Sequence, residues 1–273
     1  MSDLHNATFE HLEIRIEGPV VRVVMKRPDV HNAFNALLIT ELSEAFSMIE
    51  AAGALRVAVL QGQGRSFCAG ADLAWMRSMA EYDDAENVRD ARELAGLFRR
   101  IDGCRVPVIG RIQGAAIGGG AGLVACCDIP IAAERAKFAF SEVRLGIAPA
   151  VISPFVMAKI GRGVARELFV TGSRIDAHRA LRIGLVNHVV ADESALDAAV
   201  DECIDAILQG APGAVSACKQ LARTVGQMQP KEAFESTARL IAQLRAAPEG
   251  QEGMAAFLER RRPAWSPDAG GLE

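Results

Sequence analysis

The chain has 273 residues, half of them hydrophobic, and a formal net charge of −4, enough for one large domain or one domain with an appendage. That balance excludes any global attraction to nucleic acid or to an anionic membrane surface. No apolar run reaches the ~18 residues of a membrane span, and Met1 to Glu10 lack the basic-then-apolar order of a signal peptide, so a cytoplasmic location is expected.

In chain order, Leu12 to Ile16 and Val20 to Met25 are short alternating runs around Gly18-Pro19, which predicts a hairpin. Leu38, Leu42, Ala45, Phe46 and Ile49 recur at helical spacing and predict an amphipathic helix over Ala36 to Ala51. Val57 to Gly62 reads as a strand. It runs into Ser66-Phe67-Cys68-Ala69-Gly70-Ala71-Asp72-Leu73, a small-residue turn opening a helix with Asp72 as its N-cap. Pro107 to Ile112 predicts a buried strand, the run Gly114 to Gly122 a close-approach turn, and Leu123 to Cys127 a helix.

Strand and helix patterns alternate to about Val190, as expected for stacked βα units with largely parallel pairing. From Asp192 the strands stop. Leu196, Val200, Cys203 and Ile207 mark one helix, and three more helical patterns follow, separated by Pro212, Pro230 and Pro248. The shift divides the chain into an α/β core over 1–191 and a helical part over 192–273.

A glycine run between strand and helix aims free N–H groups at a bound phosphate or at an oxyanion formed during reaction. The phosphate option lacks its residues. No Lys-Ser or Lys-Thr pair follows the glycines, and Leu123 stands where a dinucleotide fingerprint needs its third glycine. Tight helix–sheet packing explains the run equally well when it is taken alone. The second turn, at Ala69 to Asp72, changes this, because two such turns can supply one N–H each to a single oxygen. Glu142, a lone carboxylate downstream, is the candidate acid/base.

The six cysteines form no Cys-x-x-Cys unit and have no His-rich partner segment, so no metal site is expected. Cys126 and Cys127 read as small core residues. Cys68 lies beside Ala71 with no adjacent base for nucleophilic work, His31 being the nearest histidine in sequence. Asp128 reads as a cap or loop anchor, and His178 and His188 carry no catalytic requirement.

Arg27-Pro28 with His31-Asn32-Ala33, Phe67 to Leu73, Gly114 to Gly120, Cys127-Asp128-Ile129, Phe140 to Gly146, Gly161, Gly184-Leu185-Val186 and Phe257 to Arg261 occur in an order that resembles the crotonase family, the enoyl-CoA hydratases and isomerases. The resemblance runs from about Leu12 to Arg262. It implies a spiral of ββα units with a helical C-terminal trimerisation region, and an acyl-CoA thioester as substrate, with coenzyme A arriving as part of that substrate rather than as a separate cofactor. The family's two oxyanion-hole amides fall on Ala71 and Gly119, within a substrate-binding set of Ala69, Gly70, Ala71, Asp72, Leu73, Trp75, Gly118 and Gly119.

Hydratases of this family use two glutamates. The second matches Glu142; the first should stand at Gly122, where this chain has no acid. A double-bond shift needs only one base, so the catalytic positions lean towards an isomerase. The wording around Ala71 to Arg77, Gly120 to Asp128 and Ser141 to Pro154 instead looks most like bacterial methylglutaconyl-CoA hydratase-type members, which resemble this chain in having that glycine. The implied activity is thus hydration of a branched or carboxylated 2-enoyl-CoA. An isomerase with Glu142 as single base, and a non-catalytic acyl-CoA-binding protein, are the alternatives. A glutamate introduced at Gly122 would enter at the family's own position and, where the fold tolerates its bulk, is expected to raise crotonyl-CoA hydration.

The family also implies a homotrimer or a hexamer built as a dimer of trimers. Phe257 and Arg260 would reach a neighbouring CoA site, and the helical tail would bury its apolar face on other copies. Arg261 and Arg262 read as a solvated helix end suited to its dipole. Trp75 and Met76, one helical turn past Ala71, read as either acyl-pocket wall or plain core.

Overall fold

The computed structural model describes residue 4 and residues 7–266. Six strands, β1 (Leu12–Glu17), β2 (Val20–Met25), β3 (Val57–Gly62), β4 (Val108–Ile112), β6 (Ile129–Ala133) and β9 (His188–Val190), form one sheet in the order β1-β2-β3-β4-β6-β9. Only β1 and β2 pair antiparallel, with Glu17 opposite Val20, so the hairpin stands where Gly18-Pro19 predicts it; the remaining pairs are parallel. A smaller sheet joins β5 (Ala116–Ile117), β7 (Lys137–Ala139) and β8 (Ile175–Asp176) in the order β5-β7-β8.

Alternation along the strands sorts the core into two layers. Val21, Val23, Met25, Ala58, Leu60, Val108 and Ile112 face one way. They pack with helices α1 (Ala36–Ala51), α2 (Leu73–Met79), α3 (Asp84–Gly103), α4 (Gly119–Cys126), α5 (Ser153–Thr171) and α6 (Ala177–Arg182). Val20, Val57, Val59, Ile109 and Ile131 face the other way, against Leu196, Val200, Ile204 and Leu208 of α7 (Glu193–Leu208).

This corrects one expectation. The first helix of the C-terminal part does not save its apolar face for other copies, because it covers the back of this sheet. Burying a side chain of this size contributes roughly 1.5–3 kcal/mol before entropy, so four of them make α7 a permanent layer. Helices α8 (Pro212–Thr224), α9 (Pro230–Ala246) and α10 (Pro248–Leu258) each begin on the proline that separates them in sequence.

The helix after the glycine run begins at Gly119 rather than at Leu123. Packing sets that start. A Cβ at Gly120 would collide with the Cys68 carbonyl oxygen, so only bare backbone can form the first turn there. Cys126 and Cys127 are buried, and Asp128 anchors the start of β4 by accepting from the Val108 N–H at 2.7 Å. Among the described residues no helix is long and apolar enough to cross a membrane, and no group of three or more His, Cys, Asp or Glu side chains could hold a metal ion.

Candidate active site

The turns after β3 and β4 are tied to one another. Phe67 and Cys68 both donate to the Ala115 carbonyl at 3.0 Å, and Ile117 donates back to Cys68 at 3.0 Å. Buried polar side chains hold the first turn from behind. The Asn32 amide donates to the Gln63 and Ser66 carbonyls, and the Gln113 amide donates to those of Gly62, Gly64 and Ser66. Arg27 bonds the Ala33 carbonyl and pairs with Asp72 at 2.9 Å. Asp72 in turn caps α2 by accepting from Ala74, and these contacts outweigh its burial and lower its pKa.

Each turn leaves one N–H free. Phe34 donates to the Gly70 carbonyl at 2.7 Å and accepts from Asp72 at 2.8 Å, forming a parallel bridge opposite Ala71. In such a bridge the residue between the two bonds turns its own N–H to the other side. Gly119 is the first residue of α4, where an N–H has no intrahelical acceptor. Neither N–H finds a partner among the described residues. Gly118, the N-cap, holds φ 54 and ψ −122, a conformation that a side chain opposes.

Glu142 begins a short 3-10 helix (Glu142–Leu145) and faces the same place: a Cβ at Gly118 would lie 3.2 Å from Glu142 Oε1. The carboxylate is half-buried, and its Oε2 is fully buried with no hydrogen-bond partner among the described residues. Burial pushes its pKa up. A half-buried carboxylate with one oxygen unpartnered and its pKa raised is suited to exchanging a proton. Cys68 is the opposite case, since burial pushes its thiol to about 12 and leaves it inert.

Ala69, Gly70, Ala71, Leu73, Trp75, Gly118, Gly119 and Glu142 all line one cavity of about 420 Å³. Asp72 does not line it and acts through its cap and its ion pair. Phe257 and Arg260 lie outside this cavity at the end of α10, Phe257 being 83% exposed. Arg261 pairs with Glu252 at 2.6 Å and with Glu259, closing the helix end on itself. Trp75 and Met76 both line the cavity, and Trp75 is also buried among core residues, so the two readings of that residue hold together.

The place of the absent glutamate is filled. A Cβ at Gly122 would run into Ile152 Cγ2 and stand 3.2 Å from Phe98 Cε1. A glutamate can therefore enter at Gly122 only if Ile152 and Phe98 give way.

One acid that sequence reasoning missed lines the cavity: Asp90 on α3. Its surroundings in sequence, a strongly charged first half of a helix, carry no pattern to mark it. Asn32, Gln113 and Arg27, which hold the loops, were equally unmarked as supports. Polar residues at the ends of apolar strands were the available signal.

The chain matches the family described as enoyl-CoA hydratase/isomerase over residues 15–268. It is 34% identical over 260 residues to a crotonyl-CoA hydratase of Syntrophomonas wolfei, covering 93% of this chain and 97% of the relative. It is 33% identical over 266 residues to a short-chain-enoyl-CoA hydratase of Clostridium acetobutylicum, covering 95% and 97%. The crystal structure of an enoyl-CoA hydratase from Shewanella pealeana superposes with a TM-score of 0.91 at 38% identity, covering 94% of this chain and 97% of that one.

Proposed function

Because this chain belongs to the enoyl-CoA hydratase/isomerase family of enzymes, we propose that it hydrates a substituted 2-enoyl-CoA through a thioester enolate. The thioester oxygen sits between the N–H groups of Ala71 and Gly119. Water adds its oxygen to the β-carbon, and the electron pair of the double bond moves onto the thioester as an enolate. Glu142 takes the proton from water and returns it to the α-carbon. One oxyanion donor is worth about 3–4 kcal/mol of barrier, so the amide pair is the main stabilising device in this scheme.

The observation that carries the reading is the unpartnered, buried Oε2 of Glu142 in a cavity shared with two free amides. Loss of the conjugated absorbance of crotonyl-CoA or of a branched 2-enoyl-CoA on adding purified protein tests it. No loss with any such ester would sink it.

Ile152 and Phe98 favour a second reading. They line the position of the absent acid with carbon, which suits a single base moving a proton between the α- and γ-carbons. Gain of conjugated absorbance from a 3-enoyl-CoA, faster than its loss from the 2-enoyl isomer, would make the protein an isomerase first. Of the branched and carboxylated substrates, the cavity wall supports the uncharged class. Among the described lining residues the only charged side chains are Asp90 and Glu142, both acidic.

A further inference from the structure

We propose that Asp90 selects acyl chains that carry a fixed positive charge, an alkylammonium group, at their distal end. The inference rests on the enoyl-CoA reading and names the substrate class of the same pocket. Leu94 and Phe98 of α3 both turn inward, Leu94 onto the cavity wall and Phe98 behind Gly119 and Gly122. One turn back from Leu94 the same face carries Asp90, which also lines the cavity. An acid thus stands where the helical period calls for an apolar side chain. Its neighbours Arg89 and Arg92 are exposed, while Asp90 is half-buried. Asp90 precedes Phe98 by about 12 Å along the axis of α3, so a group held there belongs to the far end of the chain.

Nothing basic answers that acid. Among the described residues no Lys, Arg or His pairs with its carboxylate, and none lines the cavity. The Trp75 indole N–H acts on it but brings no charge. Burial and nearby Glu93 push its pKa up, the direction of a carboxylate short of a counter-ion. The rest of the wall from α2 and α3 is carbon, sulfur and indole, as in Met76, Met79, Leu94 and Trp75. Such a wall offers a bare ammonium a single side-chain acceptor for three N–H groups. A methylated ammonium needs none, and it also gains from lying against an aromatic face. Charge, rather than hydrogen bonding, is then what this part of the cavity reads. A carboxylated chain meets like charge there, and an uncharged chain leaves the acid without a counter-ion.

The test uses pairs of saturated acyl-CoA esters, which bind without reacting, over a short range of chain lengths. One of each pair ends in a trimethylammonium group and the other in the neutral tert-butyl group of the same shape. Calorimetry reads the ratio of their affinities. At the matching length the ratio should favour the ammonium ester in wild-type protein, and added salt should narrow it. Asp90→Asn, which keeps the shape and removes the charge, should lower the ratio about tenfold, the scale of an ion pair and a cation–π contact together. A ratio that Asp90→Asn leaves unchanged at every length would overturn the proposal. So would a drop produced by Glu142→Gln instead, which would put the cation at the reacting acid. Failure of the hydratase reading shows separately, as conjugated esters that keep their absorbance while the ammonium preference in binding persists.

Discussion

At Glu142 the same desolvation that equips the residue for proton exchange works against the folded state. An acid whose pKa is raised by folding is unaffected below its unfolded pKa and costs stability once pH exceeds it, since the charged form is the one disfavoured by burial. Glu142→Gln should therefore lower turnover by at least about a hundredfold while leaving the melting temperature at neutral pH unchanged or higher. The melting advantage should shrink as pH falls through the raised pKa. For wild-type protein, kcat should rise with pH across that interval, because the base must be ionised to act. A variant that keeps near-normal turnover would remove Glu142 from the mechanism. Gly122 invites the complementary change. Gly122→Glu alone forces a side chain against Ile152 and Phe98, an overpacking expected to cost on the order of 1–3 kcal/mol, with no gain in crotonyl-CoA hydration. Gly122→Glu with Ile152→Gly opens the space, at an N-cap position where glycine is tolerated. If the double variant folds and hydrates crotonyl-CoA no faster than wild type, the absent acid is not what limits that reaction.

The two turns act as one element, because each blocks side chains on the other. Gly70 at φ 94 would put a Cβ 2.9 Å from the Ile117 carbonyl oxygen, and Gly120 would put one into the Cys68 carbonyl oxygen, while Gly118 at φ 54 would put one against Glu142. Gly118→Ala should shift the Gly119 N–H and the Glu142 carboxylate together. We expect kcat to fall about a hundredfold, the scale of a misplaced reacting group, with a melting temperature lowered by only a few degrees. An active alanine variant with normal kcat would show that this backbone is not held for chemistry. The turns were legible in sequence because glycine, alanine and serine clusters between apolar runs leave few alternatives to close backbone approach. Strand β3 and helix α1 were legible to the residue, from Val57–Gly62 and Ala36–Ala51, since their apolar period is uninterrupted. The start of α4 at Gly119 was not, because glycine is a poor helix former and only contact with Cys68 explains it. Asp90 and the Ile152 wall were invisible for a related reason. Both enter the cavity from segments distant in sequence, and no local period records which residue of a helix or loop meets which turn.

Across the whole molecule, the last three helices are short of a core. Lys219 and Ala256 are the only buried residues in α8, α9 and α10. Two ion pairs fasten α8 to the body, Lys219 with Asp128 at 2.7 Å and Arg223 with Asp102 at 2.8 Å. Beyond α8, Phe234 is 71% exposed, Phe257 83% and Leu258 80%, large apolar side chains that the chain's own core leaves uncovered. Self-association is the occupant we propose, as a trimer or a dimer of trimers, with Phe257 and Arg260 reaching the CoA site of a neighbouring copy. Sedimentation at micromolar concentration should then give a trimer or hexamer. Phe257→Asp with Leu258→Asp should lower the assembly state and raise KM for acyl-CoA, while substitutions on α7, already spent on its own sheet, should act on folding rather than on assembly. A wild-type chain that sediments as a stable monomer with full activity would sink both the interface and the shared site. If the double aspartate variant stays trimeric with a raised KM, these two side chains belong to the CoA site and the interface lies on α8 and α9.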